Sequence, residues 1–486
     1  MILDATDLQP AGSALDGAAV CVIGSGPAGL TVARRLAAAG RDVVLLEAGG
    51  FEPSAESQDV YRGVNAGDGY FDLDACRLRF YGGTSNHWGG WSRPLDDYDF
   101  EVRDHIPLSG WPIAKRDLTP YIDDAAAILG LDPFPPNWTF AGAGGDLERA
   151  TWQFVKDKKF PQSYRSALAA SPKLRMVVNA NLVDLDADPS SGAIRHAVFR
   201  HYGPESPLFR VAAPVFVLAC GGIENARILL NADRQFSAGI GNQFDQVGRN
   251  FLEHPHVEIG QYVDLDNGFD DKWNFVVTTR RFIERTKILN CAVVLHRYPD
   301  EKTPNAFPEQ LVRELCEFAP DFASRVLTTV GSGCTMGRIR VMAEQAPNLD
   351  SRVMLSREVD GFGQRRVRLD WQKTEIDRRT VIRTAHRVGE AIAAADSGRL
   401  KIADWVFDTE AGIPVHEPMG GNHHMGTTRM GATPRTGVVD ADCRLFGHPN
   451  LYIAGSSVFP TGGHANPTLT IVQLALRLAD HLAGRG

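Results

Sequence analysis

Residues 18–50 read AAVCVIGSGPAGLTVARRLAAAGRDVVLLEAGG. An apolar, β-branched run over 18–23 stops at once on a glycine turn, Gly24 to Gly29. The next eleven residues carry helical periodicity as far as Gly40, a residue suited to the position just past a helix C-terminus. A second apolar run, Val43 to Leu46, closes on Glu47. Strand, glycine turn, helix, strand and acidic residue in that order form a dinucleotide-binding βαβ unit. Gly24 permits the tight turn, Gly26 lets backbone approach a pyrophosphate, and Gly29 lets helix pack on strand. The helix N-terminus then turns its positive end toward phosphate. Glu47 lies where an acid can accept from a ribose 2′-hydroxyl, which favours an unphosphorylated adenosine. FAD and NAD are both bound by such units.

Working outward, residues 77–94 read RLRFYGGTSNHWGGWSRP. The segment is too irregular for a helix and long enough to wrap a flat ring system, for which a simple NAD dehydrogenase has no need. Near Val215 to Ala219 a buried-strand pattern meets a Gly-Gly turn, and reads as the last strand of the same sheet. At the far end, GNHHMGTTRMG (421–431) and NLYIAGSSVFPTGGHANPTLTIV (450–472) enclose a short strand, Leu451 to Ala454, and run into an apolar helix, Leu469 to Leu482. Glycine, histidine, asparagine and threonine beside apolar runs indicate backbone lying close to a ligand.

Between these pieces, residues 96–170 mix Asp/Pro turns with a helical pattern near Leu118 to Leu129 and a break, AGAGG, at 141–145 that reads as a flexible loop or lid. Residues 245–255, DQVGRNFLEHP, read as a connection out of the nucleotide unit. Six strand candidates over 256–370, ending with RVMLSRE and RRVRLDW, suggest an antiparallel sheet. Over 374–396, Ile376, Val381, Ala385, Val388 and Ile392 mark one helical face, with an arginine-rich face left to solvent. The expected fold is α/β, or α+β overall. A discontinuous Rossmann-like nucleotide domain (1–95, 171–255 and 415–486) holds an inserted substrate domain (96–170 and 256–414) built on a mainly antiparallel sheet with helices.

The bulk numbers narrow the function. With 486 residues, 43% hydrophobic and 23% charged, the chain has ordinary globular composition. A net charge of −8 offers no broad basic field, so nucleic acid is not an expected partner. The seven cysteines lack CxxC spacing, which argues for reduced thiols and against a disulfide framework or a metal site. No secretory signal and no membrane-spanning run is read, so a cytoplasmic enzyme is expected. Export on a signal-bearing subunit, a small partner subunit and a homo-oligomer stay open.

GSGPAG…LLEAGG at one end and HHMGTTRMG…NLYIAGSSVFPTGGHANPTLT at the other resemble the glucose–methanol–choline (GMC) family of FAD-dependent oxidoreductases, over nearly the whole chain. The ANPTLT ending and the SNHW segment are most similar to the branch of pyranose 2-oxidases and bacterial glycoside oxidases. The resemblance implies FAD as cofactor, His423 as catalytic base and Asn466 as the second catalytic residue, with His424 and His464 as neighbours. It implies cofactor contacts from Gly24, Gly26, Gly29, Glu47, Arg79, Gly82, Gly83, Ser85, Val183, Ala219, Gly455, Asn466 and Thr468. His87 matches the position where some members attach FAD covalently. The branch follows its His-Trp pair with threonine, whereas this chain has Gly89, so the resemblance by itself does not establish the branch's oxygen reactivity or substrate gating here.

Alcohol oxidation needs such residues. The carbon gives up hydride as its hydroxyl proton leaves, and a histidine can take that proton near neutral pH. A second polar side chain holds the hydroxyl so that the C–H faces the flavin. The expected reaction is oxidation of a secondary hydroxyl of a sugar, glycoside or cyclitol, at ring carbon 2 or 3, with oxygen, a quinone or a cytochrome as acceptor. Oxidation of a primary or aromatic alcohol, and a hydroxynitrile lyase using FAD structurally, are the alternatives.

Overall fold

The strands Val20–Ile23 and Val43–Leu46 are wholly buried and pair in parallel, as unbroken apolar runs require when helices cover both faces of a sheet. The computed structural model describes residues 1–8, 15–156, 160–203, 205–264, 274–297, 335–408 and 420–484, with 316, 318–319 and 322–323. Six parallel strands lie in the order Ile2–Asp4, Leu174–Val178, Val43–Leu46, Val20–Ile23, Val215–Leu218, Leu451–Ile453. Val215–Leu218 is therefore not the last strand, contrary to expectation. The C-terminal segment returns to add Leu451–Ile453 at the edge and then crosses back as the helix Thr468–Ala483. That helix packs on the first helix, Pro27–Ala38, where Arg35 donates to both carboxylate oxygens of Asp480 at 2.8 and 3.0 Å.

The glycines of the turn act as their order suggests. Gly24 has φ +100°, and a Cβ there would lie 2.6 Å from the Ala219 carbonyl oxygen. A Cβ on Gly29 would lie 1.8 Å from the Gly24 carbonyl oxygen, so helix and turn can close only around glycine.

The second sheet has seven antiparallel strands, in the order Gly398–Ile402, His256–Asp264, Thr335–Ala343, Cys291–Arg297, Asn274–Thr278, Leu147–Ala150, Trp138–Thr139. Strand alternation divides its side chains. Val257, Val293 and Val341 meet Val381, Ala385 and Val388 of the long helix Glu375–Ala394. Phe275, Val294 and Met342 form the opposite face with Trp152.

Further expectations need correction. RVMLSRE and RRVRLDW do not join this sheet: Arg352–Val359 and Arg365–Asp370 form a hairpin that pairs with Gly63–Asn65. Val353, Val367 and Leu369 bury against the nucleotide-side core, because each strand has one apolar face and that core has room for it. The AGAGG break is no lid. Ala143 is buried, a Cβ on Gly142 would strike the Ala391 carbonyl, and Arg387 donates to the carbonyls of residues 142 and 143. Arg387, expected in solvent, also bonds Asp146 at 2.9 Å. Finally, thiols are not reduced throughout. Cys21, Cys76, Cys220, Cys291 and Cys443 are free, but Cys316 is disulfide-bonded.

Residues 95–118 send Leu95, Phe100, Trp111, Ile113 and Leu118 into the nucleotide-side core, and Ile122–Leu129 packs on the C-terminal helix. The domain boundary expected at 414/415 lies outside the described residues. Among those residues no helix is long and apolar enough to cross a membrane, and no group of His, Cys, Asp or Glu is arranged to hold a metal.

Candidate active site

A cavity of ≈ 580 Å³ runs along the C-terminal ends of the parallel strands and ends between the two sheets. Its first part is lined by Gly24, Gly26, Glu47, Arg79 and Ala219. A Cβ on Gly26 would meet nothing within 4 Å, so the turn is open to the cavity there. The first helix has no side-chain cap, leaving its first amides to a ligand anion. Glu47 is buried; its carboxylate accepts from the Ser25 amide and hydroxyl at 3.0 and 2.6 Å and from the Gly49 amide at 2.9 Å. Arg79 donates to Asn181 Oδ1 at 2.7 Å and to the Tyr202 hydroxyl at 2.8 Å, which fixes its guanidinium at the wall.

Gly83, Ser85, His87 and Trp88 continue the wall, on and beside the short 3-10 turn Gly83–Asn86. Ser85 spends its hydroxyl on the Gly82 carbonyl at 2.7 Å. Gly82 and Gly29 do not line the cavity: Gly82 donates its amide to Ser25, and Gly29 serves packing. Val183 lines a separate small cavity with Arg227 and Asn231, and its neighbour Leu182 lines both that cavity and the large one. A register shift between Leu182 and Asp184 leaves Val183 at a bulge, which re-aims a side chain relative to plain strand alternation. Gly455, Thr468 and Asn466 close the wall at the far end. The C-terminal helix also lacks a side-chain cap, so its positive end is turned on the cavity.

These donors suit FAD: an open glycine turn for the pyrophosphate, an acid for the ribose, and an aromatic segment beside a helix N-terminus for the ring system.

At that end His423 and Asn466 meet, Asn466 Nδ2 lying 3.2 Å from His423 Nε2. The turns that carry them flank Leu451–Ile453, which brings them to one place. The Trp152 indole N–H donates to Asn466 Oδ1 at 3.0 Å. On its other side, His423 Nδ1 is 2.8 Å from His254 Nδ1, and His254 Nε2 is 3.3 Å from the Gly462 carbonyl oxygen. Residues 252–255 run antiparallel to 420–425, bridging Leu252 to Met425 and Pro255 to Gly420. Glu253 Oε1 ties the two strands by accepting the amides of His254, Gly421 and His423 at 2.7, 3.2 and 2.8 Å. Tyr70 donates to its other oxygen at 2.5 Å. Burial nevertheless raises the Glu253 carboxyl to about 7.

Burial, then the neighbouring His254 and His256, hold His423 well below the usual imidazole value. Burial pushes His254 down to about 4, and burial with His254 and Arg340 pushes His256 to about 3. A buried neutral imidazole is the form that can accept a proton.

His424 also lines the cavity, its ring packed against those of Tyr70 and Phe251. His464 is buried behind the wall, its ring 5.5 Å from that of Trp152. Glu253, His254, His256 and Trp152 were missed by the sequence reading. Glu253 and His254 belong to the segment read as a connection, and His256 follows it directly. The Glu-His-Pro-His cluster they form, leading into a strand, was the available signal.

Comparisons with known proteins agree with this geometry. Residues 347–475 match the GMC oxidoreductase family model and residues 19–221 the FAD dependent oxidoreductase model. The chain is 26% identical to 6'''-hydroxyparomomycin C oxidase of Streptomyces lividus, over 96% of this chain and 92% of that one. It is 34% identical to C-glycoside 3-oxidase of Microbacterium trichothecenolyticum over 26% of this chain and 23% of that one. Its fold is similar to that of pyridoxine 4-oxidase from Mesorbium loti, with TM-score 0.58 and 16% identity over 96% of this chain and 99% of that one. With both signature ends, the two sheets and a cavity suited to FAD, this chain belongs to the GMC oxidoreductase family, the FAD-dependent oxidoreductases that act on CH–OH groups.

Proposed function

We propose that the enzyme oxidises a secondary hydroxyl of a sugar, glycoside or cyclitol to a ketone, at ring carbon 2 or 3, with His423 as base and Asn466 as the hydroxyl's second anchor. Segments 1–95, 171–255 and 415–486 carry the cofactor on this reading, and 96–170 and 256–414 the substrate. The observation that supports it is the pair at the cavity's end: His423 Nε2 and Asn466 Nδ2, 3.2 Å apart, present two polar atoms to one hydroxyl group. The hydroxyl donates to Nε2 and accepts from Nδ2, so deprotonation and aiming of the C–H occur at one oxygen. Bound FAD supplies the hydride acceptor. Trp91 and Trp88 offer flat apolar walls of the kind that pack on sugar rings, and Arg340 and His256 line the same end. His87, on the wall, is our choice for a covalent attachment point.

The full-length relatives named for oxidation at a 6-position favour a second reading, a primary hydroxyl. Anaerobic flavin reduction by a panel of glycosides, cyclitols, amino sugars and aryl alcohols, followed by NMR of the product, separates the two. Cyanohydrin cleavage without flavin bleaching would instead show a lyase. His423→Ala is expected to load FAD and slow reduction by about 10²–10⁴-fold; an unchanged rate removes His423 as base. We place the enzyme in the cytoplasm on the five free cysteines among the described residues, with the disulfide at Cys316 pulling the other way; fractionation decides.

A further inference from the structure

We infer that His254 and Trp152 are positioning residues that fix the proton on His423, so that its Nε2 lone pair and not an N–H faces the substrate hydroxyl. The inference rests on the reading of His423 as base.

The argument runs inward from two groups whose hydrogen-bonding sense cannot change. An indole N–H only donates. Because Trp152 Nε1 lies 3.0 Å from one end of the Asn466 amide, that end is the oxygen, and the Nδ2 donor is turned to His423 Nε2. Nε2 must then hold a lone pair, which takes the Asn466 N–H until a substrate hydroxyl enters between the two atoms, donating to Nε2 and accepting from Nδ2. In a neutral imidazole the proton is therefore on Nδ1, which donates across 2.8 Å to His254 Nδ1. At the other end, a backbone carbonyl only accepts. His254 Nε2, 3.3 Å from the Gly462 oxygen, carries the proton of its ring, which leaves Nδ1 free to accept. The two assignments meet at the His254–His423 contact and agree. Changing the tautomer of one ring alone would set two donors, or two lone pairs, against each other at 2.8 Å.

The carboxylate nearby does a different task. Glu253 accepts the backbone amides of His254 and His423, so it aligns the two strands and leaves the rings to settle their protons between themselves. His254 therefore orients the base as an acidic partner would, without placing a charge beside it. Trp152 is held for its role by stacking on Phe275, with ring centroids 4.0 Å apart.

The test uses FAD-loaded enzyme and anaerobic stopped-flow reduction by the best substrate of the panel, reading the limiting rate and the half-saturating concentration. His254→Leu removes the acceptor, His254→Asn keeps an amide oxygen near the Nδ1 position, and Trp152→Phe keeps the stack and loses the N–H. His254→Leu is expected to lower the limiting rate roughly 10–100-fold with half-saturation changed less than about threefold, His254→Asn to restore most of it, and Trp152→Phe to fall between. A His254→Leu rate near wild type, or a His254→Asn rate as low as that of His254→Leu, overturns the inference. Should His254→Leu fail to load FAD, an unchanged limiting rate in Trp152→Phe overturns it alone. His423→Ala is run alongside. Wild-type reduction there defeats the base reading itself, whereas slow His423→Ala with fast His254→Leu defeats only the tautomer assignment.

Discussion

Asn466 and His423 stand 43 residues apart in the chain, yet the amide nitrogen of one lies 3.2 Å from Nε2 of the other. The amide is neutral, donates one N–H and brings no charge. Asn466→Asp keeps the size, removes that donor and sets a carboxylate against the imidazole. The reductive rate at neutral pH is expected to fall about 100-fold, and the acid limb of its pH profile to move upward, because a nearby anion favours the protonated ring. Rates measured from pH 5 to 9 check both; a limb that stays in place would mean the residue does not face the base.

The pH profile of the parent enzyme follows from burial. His423 is held well below the ordinary imidazole value by burial and by His254 and His256, and only its neutral form can take a proton. Activity is therefore lost as pH falls through that lowered value and is already level at pH 6.5 and above. Glu253, raised to about 7 by burial, titrates between pH 6.5 and 8, so the profile is read in Glu253→Gln, where kcat/KM with a non-ionising substrate is expected to vary less than about twofold across that range. An acid limb centred at or above 6.5 in that variant would contradict the burial argument.

The covalent reading of His87 is decided on denatured protein. After unfolding in detergent, flavin fluorescence is expected to migrate with the polypeptide, and His87→Ala is expected to release all flavin on unfolding while binding it when folded. Free FAD in the supernatant of the parent enzyme would end this reading.

Arg103 and Glu344 are both fully buried and pair through two contacts, at 2.7 and 2.6 Å. Glu344 also accepts the Asn290 amide at 3.1 Å. Glu344→Ala leaves a guanidinium without its anion in the interior, which typically costs about 3–5 kcal/mol. Thermal or denaturant unfolding of the FAD-loaded variant measures it; a loss below about 1 kcal/mol would mean that water reaches the site.

Much of this was readable without coordinates. The βαβ unit was legible because its constraints are local. Gly24 needs a positive φ, Gly29 must let helix meet turn, and Glu47 must follow its strand, whatever surrounds them. The long helix was legible from its 3.6-residue apolar period, and its start from Thr374, whose amide donates to Asp377 at 2.5 Å. The facing of single residues beside irregularities was not. Val183 sits at a bulge, and Gly142 looked loose until Ala391 and Arg387 were seen to hold it.

Sequence alone determined the dinucleotide-binding unit and the two-sheet fold, because glycine turns and strand periods are short-range properties of the chain, and the resemblance carried by its signature turns named His423 and Asn466. Only the tertiary structure decided how that pair is held. Trp152 arrives just past the strand Leu147–Ala150 of the second sheet and His254 just before the strand His256–Asp264, at separations of 314 residues from Asn466 and 169 from His423. Hydrogen-bond sense is a property of groups in contact, and no local pattern announces which donor will meet which acceptor once the chain has closed.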